Sequence, residues 1–231
     1  MQPWKRYRVR PGGPLRLADV DPASRDELAR SDKAARSALA DLQQRLDRLQ
    51  GLLYAGRRHR LLLVLQGMDT AGKDATIRRV FEGMNPQGVR VTSFGVPTPE
   101  ERAHDFLWRV HPHAPRAGEI AIFNRSHYED VLAPRVHGEI TDAEVRRRLR
   151  SIRAFERLLV EAGTTVLKVY LHIDREEQSR RLEARLDDPA KHWKLSVSDL
   201  VERARWREYR RAYETAIATT RMPNQISQRS A

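Results

Sequence analysis

The chain of 231 residues contains no cysteine. That excludes disulfides, thiolate nucleophiles and cysteine-ligated metals. Long apolar runs are missing too. The longest purely apolar stretch, Leu61 to Leu65, falls far short of the ~20 residues that a membrane-crossing helix needs. The basic opening, Met1 to Arg10, runs into Pro11-Gly12-Gly13-Pro14 and not into an apolar region, so it does not read as a secretory signal. Nor is there an internal repeat. These absences lead to the expectation of a soluble cytoplasmic protein with no membrane partner. What the chain has in excess is positive charge, with 43 Lys+Arg against 31 Asp+Glu and a net charge of +12. Its partners should be polyanions: nucleic acid, a phosphate chain or an anionic surface. The length suffices for one large domain or two small ones with a real core.

The stretch Leu61-Leu-Leu-Val-Leu-Gln-Gly-Met-Asp-Thr-Ala-Gly-Lys-Asp74 carries the sharpest signal. A short apolar run reads as a buried strand, and Asp74 to Met84 reads as a helix. Between them Gly67, Ala71, Gly72 and Lys73 sit at the P-loop spacing, with two glycines flanking four residues and a lysine directly after. Backbone N–H groups of such a loop and the positive end of the following helix point at one place, a cradle for phosphate. Asp74 occupies the position where Ser or Thr would ligate magnesium, and Asp69 lies inside the loop. A carboxylate beside a polyanion is repulsive unless a cation lies between them, so the pair implies Mg²⁺ held by Asp69 or Asp74.

Around this motif the chain reads as alternating helices and strands. Residues 1–31 form a Pro- and Gly-rich arm whose Lys5, Arg6, Arg8 and Arg10 could face the anion site. Lys33 to Ala55 is a helix with one apolar stripe of Leu39, Leu42, Leu46, Leu49 and Leu53, stopped by Gly56. The stripe is expected to pack on its own domain, with a dimer contact as the alternative. Asn85-Pro86-Gln87-Gly88 is a turn, and Val89 to Phe94 a strand. Thr98-Pro99-Glu100-Glu101 is a capping box opening a helix that carries Phe106, Leu107, Trp108 and Val110 to about His111. His111 and His113 flank Pro112 with no third ligand nearby, which argues against a metal there. Glu119 to Phe123 is a strand running into Asn124-Arg125-Ser126-His127-Tyr128-Glu129-Asp130. Polar residues bunched at a strand's C-terminal end are where an open α/β sheet places its ligand. A second capping box at Thr141 opens a helix to about Ala162, stopped by Gly163. Thr165 to Ile173 is a fourth strand, Arg175 to about Asp187 a helix, and Ser198 to about Thr219 a last one.

Arg181 and Arg185 lie four apart, on one helix face. Lys191 and Lys194 follow in a loop around Trp193. Four cations on a helix end and loop make a lid able to close over a polyphosphate and to neutralise charge on a transferring phosphoryl group.

Three motifs together, Gly67-Met-Asp-Thr-Ala-Gly-Lys-Asp74, Phe123-Asn-Arg-Ser-His-Tyr-Glu-Asp-Val131 and Asp188-Pro-Ala-Lys-His-Trp-Lys-Leu-Ser196, resemble the second family of polyphosphate kinases. These P-loop enzymes move phosphoryl groups between inorganic polyphosphate and nucleotides, and the Tyr128-Glu129-Asp130 variant is similar to the subgroup that accepts both AMP and ADP. The resemblance implies an α/β fold: a P-loop kinase-like parallel sheet of strand order 2-3-1-4, helices on both faces and an Arg/Lys-rich lid. It makes Asp69 the metal and reaction-centre carboxylate, with Mg²⁺ as cofactor. Lys73 and Arg125 would hold the phosphates at the transfer point, and Arg181, Arg185, Lys191 and Lys194 would form the lid. Gly67, Ala71, Gly72 and Asp74 would line the phosphate cradle, and Asn124, Tyr128 and Glu129 are candidates for the nucleotide side. Ala75 and Gly95 depart from the family pattern.

The implied organisation is an arm over 1–31, a kinase-like domain over 32–220 with its lid at about 181–200, and a disordered tail over 221–231. Family members continue with a further strand and helix where this chain has Met222 to Ala231. The fourth strand is therefore expected to be an exposed edge, Trp206, Tyr209 and Tyr213 to be poorly packed, and the protein to be less stable and weakly active. The expected partners are inorganic polyphosphate and adenine nucleotides, without nucleic acid, in a homo-oligomer. Two rival readings stand beside this one. The first is an ATP-dependent nucleoside or nucleotide kinase on the same core, and the second a non-enzymatic polyanion or nucleic-acid binder.

Overall fold

β1 (Arg60–Gly67) is the middle of a four-stranded parallel sheet. Its apolar run suits a strand covered on both faces, and Leu62, Val64 and Leu65 are buried to 1% exposure or less. β3 (Ile120–Asn124) lies on one side of it, with Leu65 opposite Asn124. β4 (Thr164–Leu171) lies on the other, with Gly67 opposite Leu171. β2 (Val89–Ser93) pairs with β3 and completes the order β2-β3-β1-β4. The computed structural model describes residues 7–9, 15–24, 31–189 and 197–221.

Parallel neighbours need crossover connections, which are right-handed in nearly all cases. The step from β1 to β2 crosses the sheet one way, and the step from β3 to β4 crosses it the other way. Right-handed connections therefore put their helices on opposite faces. α1 (Asp32–Gly56) and α2 (Lys73–Val80) come together, Gln43 of α1 donating to the carbonyl of Arg79. α3 (Pro99–Ala103) follows β2, α4 (Glu129–Val136) and α5 (Asp142–Glu161) link β3 to β4, and α6 (Arg175–Leu186), α7 (Val197–Ala204) and α8 (Trp206–Thr220) complete the chain. α4, α5 and α8 pack on one another. Among the described residues no helix is long and apolar enough to cross a membrane.

Several local expectations are corrected. The capping box at Thr98 forms, with both reciprocal bonds, but α3 is only five residues long. Asp105 ends it by accepting from the backbone N–H of Leu107 (3.0 Å), a local bond that competes with the helix. Phe106, Leu107, Trp108 and Val110 therefore sit on turns. Thr141 caps α5, but Glu144 turns to Arg147 and Arg148 and does not reach back, so the second box is half made. The last helix is two. The chain bends at Arg205, whose guanidinium donates to the carbonyl of Val136 (2.7 Å), and this sends Trp206 into the core. α1 ends on a left-handed Arg57 and not on Gly56.

The leucine stripe of α1 is covered on one side only, with Leu39, Leu46 and Leu53 half-buried. The helix lies down through Gln43, Gln50 and Tyr54, and Leu42 and Leu49 are more than half exposed, as is Leu52. β4 pairs only with β1 among the described residues, and its first half alternates, with Thr164 and Val166 buried and Thr165 and Leu167 outward. Trp206 and Tyr213, expected to be poorly packed, are both buried. The Tyr213 ring lies 4.7 Å from that of Tyr170, and its hydroxyl donates to the carbonyl of Gly67 (3.1 Å). Of the basic arm, Lys5, Arg6 and Arg10 lie outside the described residues, as do Lys191, Lys194 and the tail over 222–231.

Candidate active site

Because the strands are parallel, the C-terminal ends of β1 and β3 open on the same edge of the sheet, side by side. The loop from β1 to α2 turns through two left-handed residues, Thr70 (φ 64°) and Gly72 (φ 96°). Gly72 adopts this without strain, whereas Thr70 costs roughly 1–2 kcal/mol. Gly67 is needed for a different reason. A Cβ there would stand 2.9 Å from the Ala71 Cβ and 3.0 Å from the Leu171 carbonyl, so the loop could not close against β4. Ala71 itself is buried. Gly72 caps α2 without a side chain, leaving the first-turn N–H groups facing the loop.

Lys73 folds back over this cradle. Its Nζ donates to the carbonyls of Gly67 (2.7 Å) and Met68 (3.2 Å). Burial lowers its pKa, and Asp69 acts against that. Asp69 projects from the middle of the loop and accepts from Arg125 through Oδ1 (3.1 Å). Its Oδ2 has no hydrogen bond among the described residues. Asp74, exposed in the first turn of α2, accepts from Asn124 Nδ2 (2.7 Å). Two contacts thus tie the end of β3 to the phosphate loop.

Arg125 takes the left-handed conformation (φ 63°) at the turn from β3 to α4. For a residue other than glycine this is strain of order 1–3 kcal/mol, held only where the surroundings impose it. Glu129 follows in the first turn of α4. Burial raises its pKa, against the pull of Arg125 and Lys73. With its amide oriented to suit both neighbours, Gln66 donates to Glu129 Oε1 (3.1 Å) and accepts from the Ser126 N–H (3.0 Å).

α6 approaches the loop from the other side. Arg181 Nη1 donates to the Thr70 carbonyl (3.0 Å), its Nε to Glu177 (2.6 Å), and Gln178 to the Asp69 carbonyl (3.1 Å). Arg185, one turn on, makes no hydrogen bond or ion pair among the described residues. The structure therefore gathers Gly67, Asp69, Ala71, Gly72, Lys73, Asp74, Asn124, Arg125, Glu129 and Arg181 around one loop. Tyr128 turns away from that loop. Its side chain points into the core, where its hydroxyl meets Glu156 (2.8 Å) and Thr220 (2.6 Å). Gln66 and Gln178 were missed in the sequence. Gln66 had a signal, a lone amide ending an apolar strand, whereas Gln178 is one polar residue among many on α6.

Among the described residues no group of three or more His, Asp, Glu or Cys is arranged to hold a metal. Mg²⁺ does not need one, since it keeps several waters and takes one or two carboxylates plus substrate phosphates. Asp69, with an oxygen to spare beside the cradle, fits that demand.

A glycine loop between a buried parallel strand and a helix, faced by cationic side chains from a second strand end and a later helix, defines the P-loop kinase class. The family model described as polyphosphate kinase 2 matches residues 29–225. The AMP/ADP-polyphosphate phosphotransferase of Meiothermus ruber is 53% identical over 216 residues, covering 94% of this chain and 81% of that protein. An ADP-polyphosphate phosphotransferase of Rhodopseudomonas palustris is 42% identical, over 94% of this chain and 78% of its own. The crystal structure of polyphosphate kinase 2 from Arthrobacter aurescens superposes with a TM-score of 0.91 at 46% identity, covering 96% of this chain and 79% of that one. The chain belongs to the polyphosphate kinase 2 family.

Proposed function

We propose that this protein transfers a phosphoryl group between inorganic polyphosphate and AMP or ADP, with Mg²⁺ held at Asp69. The observation that carries the reading is the convergence of Lys73, Arg125 and Arg181 on the loop that holds Asp69. Phosphoryl transfer asks little covalent chemistry of a protein. It asks for positioning of donor and acceptor in line, and for positive groups where charge spreads over the transferring oxygens. Lys73 swings from the loop carbonyls to the phosphates. Arg125 holds the reacting end from the β3 side, and Arg181 and Arg185 hold it from α6. Mg²⁺, which Asp69 would hold, would supply charge neutralisation on the transferring group. The names of the Meiothermus and Rhodopseudomonas relatives, which specify AMP/ADP and ADP, support adenine nucleotides as the acceptors.

A cleft of about 430 Å³ opens beside Asp130, the residue after Glu129, lined by Arg102, Phe106, Arg109, Arg147 and Arg148. That volume suits a nucleoside, and its lining includes the Phe106 ring, over which the Arg148 guanidinium lies at 5.3 Å. The reading places the acceptor nucleoside there, so Phe106→Ala should raise the nucleotide KM and leave the polyphosphate KM in place. The uncovered Leu42, Leu49 and Leu52 of α1 support a homo-oligomer, which light scattering of the wild type and of Leu49→Glu tests. A cytoplasmic setting belongs to the same reading. The deciding experiment for the function is incubation with polyphosphate, Mg²⁺ and AMP or ADP, with detection of the nucleotide one phosphate longer.

A further inference from the structure

The three residues after Arg125 all turn inward, and each is anchored. Ser126, completely buried, is held by Gln66 at the end of β1. His127, also completely buried, contacts Glu156 Oε1 through Nε2 (3.3 Å). Since a carboxylate oxygen can only accept, Nε2 carries the proton. Tyr128 donates to the same oxygen (2.8 Å). Glu156 sits on α5 with no exposure at all, and its other oxygen accepts from Lys168 of β4 (2.7 Å). Lys168 also donates to the Thr220 carbonyl at the end of α8 (2.6 Å), while the Thr220 hydroxyl meets that of Tyr128 (2.6 Å). Five side chains from α4's entry, α5, β4 and α8 thus form one buried polar cluster with Glu156 at its centre.

A buried carboxylate with three donors is a rigid point, because loss of any contact leaves a charged group without a partner. The backbone between β3 and α4 must reverse over very few residues. With Ser126, His127 and Tyr128 fixed inward, the reversal falls on Arg125, the one residue of the turn in the left-handed region. That conformation in turn aims the Arg125 guanidinium at Asp69 across the phosphate loop.

We propose that Glu156 and Tyr128 are positioning residues for the phosphate site. They touch no substrate and act through Arg125, whose strained backbone they hold in place. This inference rests on the role assigned to Arg125 above, and it gives Tyr128 a task different from nucleotide contact.

The test is a double-mutant cycle, in which coupling between two residues appears as non-additivity. Tyr128→Phe removes one hydroxyl and leaves the Glu156–Lys168 pair intact. Glu156→Gln keeps the shape and removes the charge. Each is made in the wild type and in Arg125→Ala. Two quantities are read: polyphosphate-dependent kcat, and the affinity for tripolyphosphate by calorimetry. Tyr128→Phe should lower kcat about tenfold and weaken tripolyphosphate binding in the wild type, the usual scale for a group that orients a site residue. In Arg125→Ala both effects should shrink to less than about twofold. A general loss of folded protein would multiply equally in both backgrounds, and that result, or no effect in either, overturns the proposal. If Glu156→Gln does not fold, Tyr128→Phe decides alone. If the chain does not use polyphosphate as donor, the function assigned above fails, and the binding cycle still decides the positioning role.

Discussion

Arg125 at the end of β3 and Asp69 inside the loop after β1 are 56 residues apart in the chain and 3.1 Å apart in the structure. The contact puts a guanidinium at the mouth of a phosphate cradle and leaves one oxygen of Asp69 beside it. Substitution at Asp69 should therefore act on the metal and on the arginine together. Asp69→Asn keeps a partner for Arg125 and removes the charge that draws a cation. Its activity should be nearly abolished, or recovered only at raised Mg²⁺. A magnesium titration superimposable on that of the wild type would move the metal to Asp74.

Lys73 is half-buried and bonded to two carbonyls of the loop it serves. Lys73→Ala should lower kcat by about 10²–10³-fold, the usual loss for one donor at a transferring group. The thermal midpoint should change little, because removing the lysine also removes a buried charge. Near-wild-type turnover would remove the phosphate-loop reading.

The two arginines of α6 should behave differently. Arg181 already touches the loop through Thr70, whereas Arg185 has no such contact among the described residues. Arg181→Ala should loosen the loop and raise the KM for polyphosphate as well as slowing turnover. Arg185→Ala should act chiefly on kcat, where an arginine on the transferring group is worth about 10³–10⁵. Steady-state kinetics over a range of polyphosphate concentrations separates the two.

Gly67 faces β4 too closely for any side chain. Gly67→Ala should cost about 1–3 kcal/mol of stability through overpacking and displace the loop enough to suppress activity. Unchanged denaturant midpoint and rate would contradict the packing described.

Acid should unfold the protein partly through two carboxylates. At Glu119 burial would raise the pKa, but Arg90, in a two-pronged contact (2.8 and 3.1 Å), and the Arg116 N–H hold it below the usual carboxylate range. Hydrogen bonds from Arg147 and Arg148 lower Glu144 to about 2. A depressed folded-state pKa contributes stability above the ordinary value and loses it as pH falls through the lowered one. The thermal midpoint should therefore fall below about pH 4.5, and it should fall less in Glu119→Gln, whose starting stability is lower.

Much of the site was legible because it is local. The glycine spacing from Gly67 to Lys73 and the polar run from Asn124 to Glu129 each lie in one short stretch. A parallel sheet then brings the two stretches together without further information. The inward turn of Tyr128 was not legible, because it depends on Glu156, Lys168 and Thr220, three partners from distant elements. The same holds for α3, where one Asp105 side-chain bond overrides a good helix start, and for α8, where Arg205 bends the chain toward Val136. The leucine spacing in α1 gave the helix correctly but only part of its buried face, since Leu46 and Leu53 lie a turn either side of the buried Gln50 while Leu42 and Leu49 face outward.

The central claim is that the cradle around Lys73 and Asp69 uses polyphosphate as phosphoryl donor. The most direct measurement supplies purified protein with Mg²⁺ and AMP or ADP, offers polyphosphate and ATP as donors in separate reactions, and follows the nucleotide products. Formation of ADP from AMP and ATP from ADP with polyphosphate, lost in Lys73→Ala, is the predicted result. Transfer from ATP with no use of polyphosphate, or salt-sensitive polyphosphate binding without turnover that survives Lys73→Ala, would contradict it.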